Sequence, residues 1–470
     1  MGIQGLLPEL KAITQTTRLA DLSGLTCGVD TYSWIHRGVF SCATDICLER
    51  ETSAYIAYCN NLLSLLLYHQ ITPILVFDGH RLLAKQHTEL EREAKRELGL
   101  RLGKQMMSEG REKDAHAAFS KAVDVTAEMA RKVLQSFQAR GVECIVAPYE
   151  SDAQLAKLAR DGKVNFVISE DSDLLAFGCN RVLYKLDRHT GRGEMVDLAL
   201  LSKLGSEIRL FSSDQFLDFC ILAGCDYLDS VRGVGVKRAM QLVAKYKSTK
   251  RILRGLRTEY DTIPKQYELG FYRARLTFQH QVVYCSLGKR FVHLCPLPTF
   301  TLEGGDVEVL AALADDWSFV GKCDLVGGGD ADAVWAKGDI HPDTLQPFPK
   351  QDPSLVAALK PQPQQRTLNA YFTSTTNPWV NKQLQQQQQL PPQSVPSEPQ
   401  PRPSGVSRHF AASPTPSQPL RGGPPSKYGK IAKSGMFPML AVPPSSITPL
   451  APPISSPPVL KKMCQWTYKQ

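Results

Sequence analysis

Four apolar runs in this chain each lead into acidic residues, and that repetition limits what it can fold into more than any other feature. TCGVDTYSW places Asp30 after the run Leu25 to Val29, and ITPILVFDG places Asp78 after another. VECIVAP (Val142 to Pro148) leads into Glu150 and Asp152, and VNFVIS (Val164 to Ser169) into Asp171 and Asp173. Short apolar runs rich in β-branched residues, bounded by turn residues, read as buried strands. In open α/β sheets ligands bind beyond the carboxyl ends of the strands, so the ligand edge here is acidic. One such pair is explained equally well as helix capping; two pairs weaken that reading.

A fifth locus, CILAGCDY, puts Asp226 just past an apolar helical segment. Seven carboxylates from separate segments are then expected to converge on one cleft. Like charges brought together raise each other's pKa and destabilise the fold unless cations neutralise them. Carboxylate oxygens suit hard divalent ions such as Mg²⁺. The economical reading is a centre for two ions ~3.5–4 Å apart, the arrangement that serves phosphodiester hydrolysis.

Composition divides the chain. Of 32 prolines, 22 lie between Pro361 and Gln470, with 11 of the 55 Lys and Arg and only 1 of the 46 Asp and Glu. That tail carries +10 (11 minus 1) and the remainder −1 (44 minus 45). A Pro, Ser and Gln-rich segment of this kind, with QLQQQQQLPPQ as its plainest tract, is expected to be disordered. Nucleic acid bound by the folded part must meet local basic patches. The 12 cysteines form no C-x-x-C pair, which argues against a zinc site or disulfide framework and for a reducing compartment. No signal-peptide pattern is seen, and the longest apolar stretch, Leu62 to Tyr68, is too short to span a bilayer, so a soluble intracellular protein is expected.

DTYSWIHRG interleaves aromatic and basic residues. On a helix Tyr32 and His36 share a face, suited to stacking on bases, while Trp34 points away and reads as core. From Arg81 to about Leu134 the sequence is charged and helical, an insertion expected to form a lid or arch. Lys85, Arg92 and Arg96 fall within about 20° of one line on a continuous helix and suit a phosphate backbone. Glu89, Glu91 and Glu93 intervene, so a solvated face with i, i+4 pairs is the other reading. GCDYLDSVRGVGVKRAMQLVAKY reads as helix, glycine turn, helix. Gly233 and Gly235 let backbone N–H groups approach a phosphate, and Lys237 and Arg238 oppose the helix dipole unless an anion binds there. Between Thr249 and Phe348 the sequence shows a hairpin-like pair, less certain helices around Val307 to Leu313, an exposed loop at GGGDAD, and no chemistry.

MGIQGLLP, DTYSWIHRG, PILVFDG, APYESDAQLA, EDSDLLAFGC and GCDY...RGVGVKRA, in this order, closely resemble the flap endonuclease superfamily of structure-specific 5′ nucleases from Met1 to about residue 348. Within it APYESDAQ and EDSDLLAFGC are similar to the 5′ exonucleases of mismatch repair and end resection; replication-type flap endonucleases usually carry glutamate where Asp152 stands. The resemblance implies an α/β fold with a central, mostly parallel twisted sheet flanked by helices, a helical arch (about 81–134) and a helix-two-turn-helix (about 212–247). It divides the nuclease domain, 1–348, into an N-terminal region (1–99) and an internal region (about 138–230), followed by the disordered tail, 349–470.

The same resemblance implies two Mg²⁺ ions held by Asp30, Asp78, Glu150, Asp152, Asp171, Asp173 and Asp226, with Lys85, Arg92 and Arg96 steering the scissile phosphate. Tyr32 and His36 stack near the substrate end, Gly2 lies near the active site, and the turn of Gly233, Gly235 and Lys237 binds the uncleaved duplex with K⁺. Ala223 stands where relatives often carry a hydroxyl residue, which leaves the K⁺ ligation open. The expected activity is Mg²⁺-dependent 5′→3′ exonucleolysis of double-stranded DNA with 5′ flap cutting, in a nuclear, monomeric repair enzyme. The alternatives are a replication-type flap endonuclease and a noncatalytic repair scaffold, although a scaffold has no use for seven carboxylates. In the tail, Gln365, Leu368, Tyr371 and Phe372 have the Q-x-x-L-x-x-Y-F spacing that resembles the sliding-clamp (proliferating cell nuclear antigen) binding box, 365–372. SRHF (Ser407 to Phe410) faintly resembles the docking motif for MutL-type mismatch-repair proteins, but Ala411 replaces its second aromatic.

Overall fold

The computed structural model describes residues 2–261, 263–298, 313 and 316–349. The boxes at 365–372 and 407–410 lie outside the described residues, as does the segment expected to be helical around Val307 to Leu313 apart from Leu313 itself. Seven strands form one sheet in the order β1-β7-β6-β5-β2-β3-β4. They are β1 (Thr14–Arg18), β2 (Thr26–Asp30), β3 (Thr72–Phe77), β4 (Glu143–Val146), β5 (Phe166–Ile168), β6 (Arg181–Asp187) and β7 (Arg192–Asp197). β6, β5, β2, β3 and β4 pair in parallel, and β7 lies antiparallel to both β6 and β1. The sheet is mostly parallel, as expected. From β2 the chain adds β3 and β4 on one side and then returns to add β5 and β6 on the other. The crevice between β2 and β5 is therefore a topological switch point, where open α/β sheets hold their ligands.

Helices cover both faces. α1 (Leu6–Glu9) precedes β1; α2 (Thr31–Phe40), α3 (Ala43–Cys47) and α4 (Ala54–Tyr68) join β2 to β3; and α5 (Gln86–Ser108), α6 (Glu112–Ala122) and α7 (Ala127–Gln138) join β3 to β4. α8 (Ser151–Arg160) follows β4 and α9 (Asp173–Ala176) follows β5. After β7 come α10 (Ser213–Ala223), α11 (Val236–Tyr246), α12 (Thr249–Glu259) and α13 (Tyr267–His280), then the hairpin β8 (Val282–Cys285) and β9 (Arg290–His293), and α14 (Asp330–Ala336). Because strand side chains alternate, Leu75, Phe77 and Ile168 face a core with α2, α4 and α7, while Ile74, Val76 and Val167 face one with α8 and α10–α13. Gly28 lets α8 sit against β2: a Cβ there would lie 2.6 Å from Leu155 Cδ2. That close approach sets the height of α8, whose first turn carries Asp152.

Several expectations need correction. The first strand is β1, not the run at Leu25; TQTTR is polar and largely exposed at the sheet edge, so it has no apolar signal. GGGDAD is not simply an exposed loop. Its glycines turn the chain with positive φ into α14, and Asp332, buried, accepts a hydrogen bond from the Phe291 backbone N–H at 2.9 Å. The charged stretch 81–134 contains two kinds of helix. α5 and α6 pack on each other through Gly99 and Gly103, whereas α7 buries Val133, Leu134 and Phe137 and belongs to the sheet's cover. Lys85 is not on a continuous helix with Arg92, since it ends the 3₁₀ turn Leu83–Lys85 and caps α5. Trp34 is core, as expected.

Candidate active site

β2, β3, β4 and β5 each lead into acidic residues at one edge of the sheet. Asp30 ends β2 and caps α2, accepting from the Ser33 backbone N–H at 3.3 Å and from Ser169 Oγ at 2.8 Å. Asp78 follows β3 and accepts from the Ser151 backbone N–H at 2.7 Å, which ties it to the start of α8. Glu150 stands at the N-cap of α8 but makes no side-chain cap, leaving its carboxylate for other partners. After β5, Asp171 Oδ1 accepts from the Asp173 backbone N–H at 3.0 Å. Asp226 lies two residues past Gly224, whose φ of 97° ends α10.

Burial and mutual repulsion act on these groups together. Burial, then Asp78, pushes Asp30 up to about 7. Burial raises Asp78, and burial with Asp171 and other carboxylates holds Asp152 and Asp173 well above the ordinary range. Asp171 is raised by burial although the Asp173 N–H opposes it. Asp226 differs: burial would raise it, but Lys85 and Arg92 outweigh that and hold it low. Lys85 Nζ lies 2.6 Å from Glu150 Oε1 and 3.0 Å from Asp226 Oδ2. Arg92 donates to Asp226 Oδ2 at 2.8 Å and to Glu89 Oε1 at 2.9 Å. Arg96 pairs instead with Asp124 at 3.3 Å.

A cleft of ≈ 290 Å³ is lined by Asp30, Tyr32, His36, Asp78, Lys85, Arg92, Arg96, Glu150, Asp152 and Asp171, with Pro342 and Asp343 on its wall. Tyr32 and His36 stand as neighbours, ring centroids 6.3 Å apart, and burial lowers the His36 pKa so that the ring favours its neutral form. Gly2, at φ +78°, runs against the acidic edge: a Cβ there would lie 2.2 Å from Asp171 Oδ1 and 2.7 Å from Asp173 Oδ1. Gly233, Gly235 and Lys237 are not part of the cleft lining. Gly233 turns with φ 88°, Gly235 caps α11, and Lys237 is exposed in its first turn, while Arg238 folds back onto Glu259 and Tyr260.

The donor set fits divalent ions. It is entirely carboxylate oxygen, and Asp152 Oδ1 and Asp173 Oδ1 are buried without a hydrogen-bond partner. Among the described residues no three His, Cys, Asp or Glu side chains stand ready-made around one point. Glu150 and Asp226 are engaged by Lys85, and Asp226 also by Arg92. Sequence reasoning missed Ser169, Tyr227 and Gln281. Tyr227 follows Asp226 directly and Ser169 ends the apolar run before Asp171, but nothing local marks Gln281. The stretch from Thr249 to Phe348, read as without chemistry, supplies Gln281 to Glu150 and Pro342 and Asp343 to the cleft wall.

The acidic cleft thus lies at the switch point of the sheet, faced by Lys85 and Arg92 from the inserted segment. The XPG N-terminal domain matches residues 1–98 and the XPG I-region residues 141–226. The chain belongs to the XPG-type 5′ nuclease superfamily, in its exonuclease 1 branch. It is 38% identical over 353 residues to exonuclease 1 of Arabidopsis thaliana, covering 74% of this chain and 45% of that one. It is 34% identical over 355 residues to the DNA damage-inducible protein DIN7 of Saccharomyces cerevisiae (strain ATCC 204508 / S288c), covering 73% of this chain and 82% of DIN7. The chain thus spans less than half of the Arabidopsis relative. Among solved structures, the Holliday junction-resolving enzyme GEN1 with product DNA and Mg²⁺ aligns with a TM-score of 0.43 at 20% identity, over 61% of this chain and 66% of that one.

Proposed function

We propose that the chain is a Mg²⁺-dependent, structure-specific 5′ nuclease that degrades double-stranded DNA 5′→3′ and also cuts 5′ flaps. The observation that carries this reading is the state of Asp152 and Asp173, buried carboxylates that each leave one oxygen unpartnered beside five further acidic residues. At neutral pH such a cluster is relieved by cations supplied from outside.

In this reading Asp30, Asp78, Glu150, Asp152, Asp171, Asp173 and Asp226 hold two Mg²⁺. When bound, the pair lowers the pKa of an attacking water and neutralises charge developing on the phosphate. No side-chain nucleophile takes part. Lys85 and Arg92 exchange Glu150 and Asp226 for phosphate oxygens as a DNA strand enters, which orients the scissile group under the arch. Tyr32 and His36 stack on the frayed end, worth ~1–3 kcal/mol per base. Backbone N–H groups at Gly233 and Gly235, with Lys237, hold phosphates of the uncleaved duplex, and backbone carbonyl oxygens of the same turn would be the ligands for K⁺. The products are a 5′-phosphate and a 3′-hydroxyl.

The test is digestion of 5′-labelled blunt, recessed, nicked and flapped duplexes with Mg²⁺ and with EDTA. Labelled mononucleotide or very short 5′ fragments from recessed and nicked ends, absent in EDTA, are expected. Undiminished cleavage in EDTA overturns the metal reading, and cutting of flaps alone favours a replication-type flap endonuclease. A nuclear, monomeric repair enzyme, a sliding clamp as partner through 365–372 and recruitment by mismatch-repair proteins belong to the same proposal.

A further inference from the structure

Glu150 is held by two kinds of contact. Among the described residues its Oε1 accepts from Lys85, the arch cation proposed to move when DNA binds. Its Oε2 accepts from Tyr227 Oη at 2.5 Å and from Gln281 Nε2 at 2.7 Å. Gln281 is completely buried, and its Oε1 has no hydrogen-bond partner among the described residues. Turning the amide over would set oxygen against a carboxylate, so the orientation is fixed by chemistry.

The surroundings keep both donors in place. Gln281 caps α13, donating its backbone N–H to Thr277 O at 3.2 Å and accepting from the Leu294 N–H at 2.9 Å. The Tyr227 ring meets Phe278 of α13 edge-on at 4.8 Å. One turn beyond Glu150, the buried Gln154 donates to Tyr284 O at 3.0 Å and accepts from Tyr284 N at 2.7 Å. A side-chain amide therefore pairs with the β8 backbone as a strand would, locking the hairpin to the helix that begins at Glu150. A buried amide with one unpaired oxygen is costly, and packing alone would be served better by Leu. Its place beside a carboxylate calls for a use.

We propose that Gln281, with Tyr227, is a positioning residue that clamps Glu150 Oε2 and so presents Oε1 to a divalent cation. The proposal rests on the metal-centre reading above and adds that the carboxy-terminal hairpin is part of the metal site's support. Outer partners of this kind fix a ligand's orientation before the ion arrives.

The test is calorimetric titration of Mn²⁺, in the presence of a nicked duplex with non-hydrolysable linkages at the 5′ end, into the full chain and into Gln281→Leu, Tyr227→Phe and Glu150→Ala, alone and combined. Gln281→Leu and Tyr227→Phe are expected to weaken Mn²⁺ binding, Gln281→Leu by roughly 10–100-fold. In the Glu150→Ala background neither should have a further effect, because the clamp acts only through Glu150. Wild-type Mn²⁺ affinity in both single variants overturns the clamp, and so does a loss of affinity that persists without Glu150. If the wild-type chain itself binds no Mn²⁺, the metal-centre reading falls and the clamp with it.

Discussion

Asp173 shows what the site demands of a single residue. Its carboxyl is buried, is held well above the usual range by burial and by Asp171, and leaves one oxygen unpaired. Without metal it is a burden on the fold. Asp173→Ala is therefore expected to raise the melting temperature in EDTA while lowering Mg²⁺-dependent turnover roughly 10³-fold. Turnover within tenfold of wild type would falsify its assignment as a ligand. Asp30 extends the argument to pH. Its carboxyl is raised from 3.8 to about 7 in the folded chain, so between these values the native state binds the extra proton. Its contribution to stability is present below the ordinary value and is lost as pH rises through about 7. Melts in EDTA should fall across that window, and saturating Mg²⁺ should flatten the decline, because ion binding favours the charged form. An equal slope with and without Mg²⁺ contradicts the site.

The elements that place these residues differ in how legible they are. β2, β3, β4 and β5 were visible as apolar runs because they are buried in a parallel sheet, and the acidic residues after them were legible for the same reason. β1 was invisible because an exposed edge strand needs no apolar residues, and Gln281 because its role depends on α13 and the hairpin returning to α8. The arch lies between these cases. Its charge and helicity could be read, but the cap at Lys85 and the burial of α7 depend on packing. Arg92, inside α5, turns to Asp226 across 134 positions of sequence. If it serves to orient the scissile phosphate, Arg92→Ala should lower kcat by roughly 10²-fold and leave the duplex Kd nearly unchanged, since orientation matters most in the transition state. Single-turnover cleavage beside equilibrium binding separates the two. A variant that alters only the salt dependence of binding would reduce Arg92 to an electrostatic contact.

At the scale of the whole molecule, charge is divided against what a DNA enzyme would suggest: residues 1–360 carry −1 and the rest +10. On the proposed function, duplex DNA would be attracted to the first part through local features such as the arch cations and the α11 turn, and long-range attraction would fall to the tail. A nuclease that degrades processively gains more from a topological tether than from nonspecific charge, which high salt screens. If the chain binds a sliding clamp as proposed, Gln365, Leu368, Tyr371 and Phe372 would supply one: their spacing suits an apolar plug of positions i, i+3 and i+4, with the glutamine at the pocket rim. A peptide spanning residues 361–373 titrated into a sliding clamp is expected to bind with micromolar affinity, about −8 kcal/mol. Tyr371→Ala with Phe372→Ala should abolish it by removing two of the three prongs. In the full chain that double change should leave cleavage of short nicked duplexes intact while removing stimulation by loaded clamp on long ones. A native peptide giving no heat at high concentration, together with a full chain indifferent to the clamp, refutes the tether.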